Sequence, residues 1–216
     1  MRSEPVVDTS LVFLKVLPVL FLEYLSVSLV RSLLPRMIVD TFGPYSYFMV
    51  GICETIKGLL AFLACPILGR ISDRIGRKPC ILVAMLGTTM PICSLAFSNN
   101  LILYSVLLSA SGIFTATFAL TFAYIADIVS KKDRATAYGL ALATFGLSFT
   151  IGPVLGSYVA QEWGEHVVFV SSCVLVATNV IYIVTHLPET VKTEVRTWGK
   201  GMDMGYVYMF ASYFDT

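Results

Sequence analysis

The stretch Gly69-Arg70-Ile71-Ser72-Asp73-Arg74-Ile75-Gly76-Arg77-Lys78 lies between two apolar runs, residues 46–69 and 80–97, each long enough to cross a bilayer. A hydrophilic segment this short has to turn the chain within the headgroup layer. Its glycines are expected to supply the tight backbone turns, and its basic side chains to face anionic lipid or fixed carboxylates. The fold follows by working outward, since the flanking runs need a solvent other than water.

Composition agrees with that reading. Of 216 residues, 13% are charged and 56% hydrophobic, with a mean hydropathy of +0.79. A soluble domain carries about 25% charged residues. Windows able to span about 30 Å of hydrocarbon fall at 11–34, 46–69, 80–97, 101–126, 138–160 and 167–187. No run alternates as a β-barrel strand would, so the expected fold is an all-α integral membrane protein with six transmembrane helices. The first run is too long for a signal peptide and follows acidic Glu4 and Asp8, which reads as a retained helix.

Loop charges predict the orientation. Arg70, Arg74, Arg77, Lys78, Lys131, Lys132, Arg134, Lys192, Arg196 and Lys200 fall on one side of a six-span topology, against Arg36 and the helix-end Arg31 on the other. Basic short loops stay cytoplasmic, so both termini are expected inside. The domain division is then a cytoplasmic N-terminus (1–10), two three-helix repeats (11–97 and 98–187), and a cytoplasmic tail or truncated linker (188–216). Plasma membrane and endomembrane both remain open.

The chain also repeats itself. Residues 57–69 align without gaps on residues 144–156, sharing Leu60 with Leu147, Phe62 with Phe149, Pro66 with Pro153, Leu68 with Leu155 and Gly69 with Gly156. The second span thereby matches the fifth, and three intervening spans make the match antiparallel, an inverted 3+3 arrangement. Chance likeness between two apolar stretches is the alternative. Small residues at every fourth position, Ser111-Thr115-Ala119-Ala123 and Ser148-Gly152-Gly156-Ala160, are expected to let helices approach closely. Pro153 within the fifth span frees a carbonyl and offers a bend.

These residues resemble a known family. Gly69-x-x-x-Asp73-Arg74-x-Gly76-Arg77-Lys78 is similar to the signature loop of the major facilitator superfamily. Gly152-Pro153-x-x-Gly156 resembles the helix-five motif of its proton antiporters, and Pro188-Glu189-Thr190 resembles the motif that ends a half. Lys57-Gly-Leu-Leu, Phe122-Ala-Tyr124-Ile-Ala-Asp127 and Ala137-Tyr-Gly139 are similar to the hippocampus abundant transcript proteins, relatives of the tetracycline antiporters. The resemblance implies a secondary transporter working by alternating access, with protons as the candidate coupling ion. It implies that Asp73 caps a helix of the opposite half and that Arg77 pairs with Asp127, contacts broken on switching. Arg70 and Lys78 are expected to face lipid.

Charges inside the spans are the other candidates, since each is costly in hydrocarbon. Counting about 1.5 Å per residue puts Glu23 and Lys57 at nearly one depth, about 18 Å from the cytoplasmic ends, with Glu54 a turn further out. They are assigned to proton coupling or substrate binding. Glu23 is the first choice for the proton, because it has no cation on its own helix face. Glu54 and Lys57 also suit a self-neutralised pair on one helix. Arg31 is expected to snorkel outward.

His166 and His186 sit in interfacial positions, and Cys53, Cys65, Cys80, Cys93 and Cys173 lack metal-type spacing, so no metal and no cofactor are expected. No serine, histidine and acid grouping points to an enzyme, and nothing points to nucleic acid. The expected partners are lipid, a small-molecule solute and protons. The resemblance implies two six-helix halves, of which this chain carries the first. The other half is expected from a missing C-terminal part, a second copy or a full-length relative. A non-transporting half that binds and regulates a longer transporter is the alternative.

Overall fold

The computed structural model describes residues 14–98 and 100–189, and within them every regular element is helical. The expectations for residues 1–10 and for the tail beyond Glu189 lie outside the described residues. In order the helices are α1 (Leu17–Arg31), the short α2 (Leu34–Phe42), α3 (Ser46–Ile75), α4 (Arg77–Phe97), α5 (Leu101–Ala110), α6 (Thr117–Ile128), α7 (Arg134–Trp163) and α8 (Glu165–His186). Single 3-10 turns occupy Gly43–Tyr45 and Ser111–Phe114.

Five stretches are long and apolar enough to cross a membrane: Leu17–Ile75, Arg77–Phe97, Leu101–Ile128, Arg134–Trp163 and Glu165–His186. The first holds both α1 and α3, because α2 and the Gly43 turn fill the expected loop with helix rather than with a polar linker. Large apolar side chains such as Phe62, Leu63, Ile67 and Val154 point outward from the bundle. Lipid is the solvent that suits them.

The ten-residue turn expected at 69–78 is much smaller. Helix α3 continues through Gly69 to Ile75, and the chain reverses at Gly76 alone, with φ +125° and ψ 153°. Only glycine takes that backbone readily. Gly69 is an ordinary helical residue with open space beside its Cα. Thirty residues give α3 a length of about 45 Å, enough to carry its last two turns past the hydrocarbon. The charged segment is therefore a helix end rather than a loop.

A second correction concerns the span 101–126. It breaks into α5 and α6 at the 3-10 turn, with Thr115 at φ −75°, ψ 58° and Ala116 at φ −122°, ψ 5°. The stripe Ser111-Thr115-Ala119-Ala123 thus does not run down one helix face. The break is clamped from two sides. Gly87 of α4 leaves no room for a Cβ beside the Phe114 ring, and Gly112 meets the backbone of Lys57 on α3 in the same way.

Helix α1 is the centre of the bundle, packed mainly on α7 and α8, while α4 joins that group to α3 and α5. Its carbonyls accept hydrogen bonds from neighbouring side chains: Ser148 Oγ to Phe21 O at 3.2 Å, Ser172 Oγ to Ser26 O at 3.1 Å, and Asn179 Nδ2 to Val19 O at 3.0 Å. In lipid, where apolar burial gives helices no reason to associate, such bonds and close backbone contacts hold them together.

Candidate functional site

Functional residues gather in three places along α1, α3 and α4. At the Gly76 corner, Arg77 is nearly buried and serves both loop and helix end. Its Nη2 lies 2.6 Å from Asp73 Oδ1, its Nε donates to Asp127 Oδ2 at 2.9 Å, and its Nη1 donates to Ser72 Oγ. The fork geometry of guanidinium allows these simultaneous contacts. The Arg77 backbone amide donates to Glu189 Oε1 at 2.8 Å, and the Tyr124 hydroxyl donates to Pro188 O at 2.9 Å. The residues after α8 are thereby drawn onto the corner. Lys78, expected at lipid, instead donates to Val184 O at 2.8 Å, satisfying a carbonyl in the last turn of α8. Arg70 and Arg74 are exposed.

At the opposite end of α3, a cavity of about 300 Å³ opens between α1, α2, α3, α4 and α5. Arg31, Glu54, Lys57, Thr88, Tyr104 and Ser105 supply its polar lining, and residues such as Val30, Ile38, Phe42 and Ile92 its apolar walls. Arg31 reaches across to α3 and α7. Its Nη2 sits 3.7 Å from Glu54 Oε1 and its guanidinium lies over the Phe149 ring, 5.9 Å from the centroid. Glu54 is thus engaged by Arg31, and among the described residues Lys57 makes no ion pair.

Glu23 sits behind that cavity rather than in its lining, 2% exposed. Thr88 connects the two: it lines the cavity, and its hydroxyl donates to Glu23 Oε1 at 3.3 Å. The neighbouring Thr117 is the first residue of α6 after the break. Its side chain faces the Glu23 carboxyl, so Thr88 and Thr117 flank that buried group from α4 and α6. Matching depth brought Glu23 and Lys57 level in the sequence count, yet they face different spaces. Thr88, Thr117 and the α5–α6 break were not singled out in the sequence, and Arg31 was assigned to the interface rather than to the cavity. Only Arg31 carried a signal, as a charge in an apolar run.

The helix-five residues pack against α1. Gly152 abuts Ser28 and Gly156 abuts Leu29 O and Ser32, each leaving no space for a Cβ. The Ser28 hydroxyl donates to Ser148 O at 3.0 Å across the same contact. Pro153 lies inside α7. No cluster of three or more metal-type side chains occurs among the described residues.

A bundle of long apolar helices, with large apolar side chains on its outer surface, defines a multi-pass integral membrane protein. Its family follows from a match of residues 16–205 to the model of the Major Facilitator Superfamily, and the chain belongs to that family. It is 33% identical over 196 residues to human hippocampus abundant transcript-like protein 1, covering 90% of this chain and 38% of that protein. It is 36% identical over 179 residues to the class C tetracycline resistance protein of Escherichia coli, covering 81% of this chain and 44% of that one. The crystal structure of the human organic anion transporter MFSD10 (TETRAN) shares the fold, with a TM-score of 0.76 at 22% identity over 92% of this chain and 52% of that chain. The chain therefore spans about two-fifths of the length of the curated relatives it matches.

Proposed function

We propose that the chain forms the N-terminal half of a secondary transporter that moves a small solute by alternating access. The observation that carries this is the polarity of the bundle: a cavity opens at one end of α3, while ion pairs and Glu189 fasten the other. That polarity supports reading the structure as an outward-facing state with its cytoplasmic end shut. In this reading α1, α3, α4, α5–α6, α7 and α8 are six spans, both termini are cytoplasmic, and the equal lengths of α3 and α7 support an inverted 3+3 repeat. Arg77, Asp73 and Asp127 form the gate that opens on switching.

Glu23 is the coupling group. Its carboxyl is buried with no cation paired to it among the described residues, and Thr88 links it to the cavity. A proton taken from the cavity would neutralise it, and release to the other side would follow the rearrangement. A second copy, a longer relative or a further part of the chain would supply the opposite half.

The gate is tested without knowing the solute. In right-side-out vesicles, a single cysteine at Ser105 in a cysteine-replaced chain should react with an impermeant maleimide from outside. Adding Arg77→Ala or Asp127→Asn should lower that labelling severalfold as the cytoplasmic end opens. Labelling that ignores both changes overturns the gate. In proteoliposomes, Glu23→Gln should abolish pH-gradient-driven uptake with an unchanged melting temperature. Undiminished uptake rules out the coupling role. Uptake that appears only after adding a longer relative would assign this chain a regulatory part instead.

A further inference from the structure

We infer that the cavity between α1, α2, α3, α4 and α5 binds a small amphipathic organic anion, with the charge of the ligand held by Lys57 and its apolar body against the walls. Three observations converge on this. The cavity has two cations, Arg31 and Lys57, against one carboxylate, Glu54. That carboxylate pairs with Arg31, which also rests on Phe149, and acts on Lys57 only without an ion pair, so the cavity keeps one positive charge in excess and Lys57 is the cation free to meet a ligand. An excess charge at membrane depth is costly, and a negatively charged occupant offsets it.

The position of Lys57 is also fixed. Its backbone is wedged against Gly112 in the 3-10 turn, where no Cβ fits. The break between α5 and α6 therefore acts as a seat for the residue that carries the charge. Elsewhere in the lining, the hydroxyls of Thr88, Tyr104 and Ser105 add polar groups, and the walls are mostly aliphatic and aromatic. A volume of about 300 Å³ is at the small end of ligand pockets. One or two fused rings bearing a carboxylate, sulfonate or phosphate would fill it.

The inference rests on reading this cavity as the entry site of the transported solute, and binding tests it apart from transport. The full chain in zwitterionic nanodiscs is titrated by scintillation proximity with tritiated 1-naphthoate, 1-naphthamide and 1-naphthylmethylamine, which share a body and differ in charge. Naphthoate should bind at least about tenfold more tightly than the amide. Lys57→Gln should erase that preference. Glu54→Gln, which frees Arg31, should tighten naphthoate a few-fold, a gain that misfolding does not produce. Equal binding of the three probes, tighter binding of the amine, no saturable naphthoate binding, or no tightening in Glu54→Gln each overturn the inference. Naphthoate that binds but is never moved would leave the site standing and defeat the transport reading. Movement of solutes without charge preference would do the reverse.

Discussion

Two corners of this bundle share a backbone and differ in everything else. Between α3 and α4 the chain turns on Gly76, and between α7 and α8 it turns on Gly164, at φ +125° and +91°. In both, a 30-residue helix with an internal proline leads into one of 21 or 22 residues. The glycines lie 88 positions apart, one more than the offset between residues 57 and 144 in the internal repeat. Yet a Cβ on Gly76 would sit 2.5 Å from the Glu189 carboxylate, while one on Gly164 would meet nothing within 4 Å. The next residue is Arg77, tied to two carboxylates, in one case and Glu165 in the other. One turn has become a fastener while its counterpart stayed a plain bend. The geometry of the reversal is thus independent of its role, which resides in the side chains that meet there.

The largest effect should come from Arg77→Ala, which removes a nearly buried cation from Asp73 and Asp127 together. A loss of about 2 kcal/mol or more is expected, read as a lowered melting temperature in mild detergent. Arg77→Lys should recover only part of it, since an ammonium lacks the fork. An unaltered melting temperature in Arg77→Ala would mean that the corner holds without its charges. Gly76→Ala comes next: positive φ costs about 1–2 kcal/mol, and displacement of Glu189 adds to it. Gly164→Ala should show the backbone cost alone, about 1 kcal/mol. Equal losses at the two glycines would show that Glu189 contributes nothing at the first. The smallest signal is the coupling between Gly76→Ala and Glu189→Ala. Once Glu189 is truncated, Gly76→Ala should fall to the cost of Gly164→Ala, a coupling of about 0.5–1 kcal/mol in a double-mutant cycle.

Helix positions were readable to within a few residues because lipid imposes a length and a composition on each run. Helix α4 was expected at 80–97 and begins at Arg77; α8 was expected at 167–187 and spans Glu165–His186. The break after Ala110 was not readable, because Ser111–Ala116 contains no proline and no charged residue. Its cause is tertiary, the close approach of Gly87 and Lys57 to the turn. The charged helix end at 70–75 was mistaken for a loop because polarity marks the edge of the hydrocarbon and not the end of a helix. In the candidate site, depth could be counted from the sequence but azimuth could not. Glu23 and Lys57 therefore looked like neighbours, and the approach of Arg31 to Glu54 across α1 and α3 went unseen. The proximity of Arg77 to Asp127 was implied by family likeness and not by any spacing along the chain.

The contact of Gly152 and Gly156 with α1 has a mechanical consequence. Two helices whose backbones touch, pinned by the Ser28 and Ser148 hydroxyls, have no slack in which to slide or roll against each other. Helices α1 and α7 then behave as one stiff lever. In the proposed transport cycle, any motion that exposed the cavity to the other side would be left to joints elsewhere, and a pair of spin labels on these two helices should report the same separation in every state.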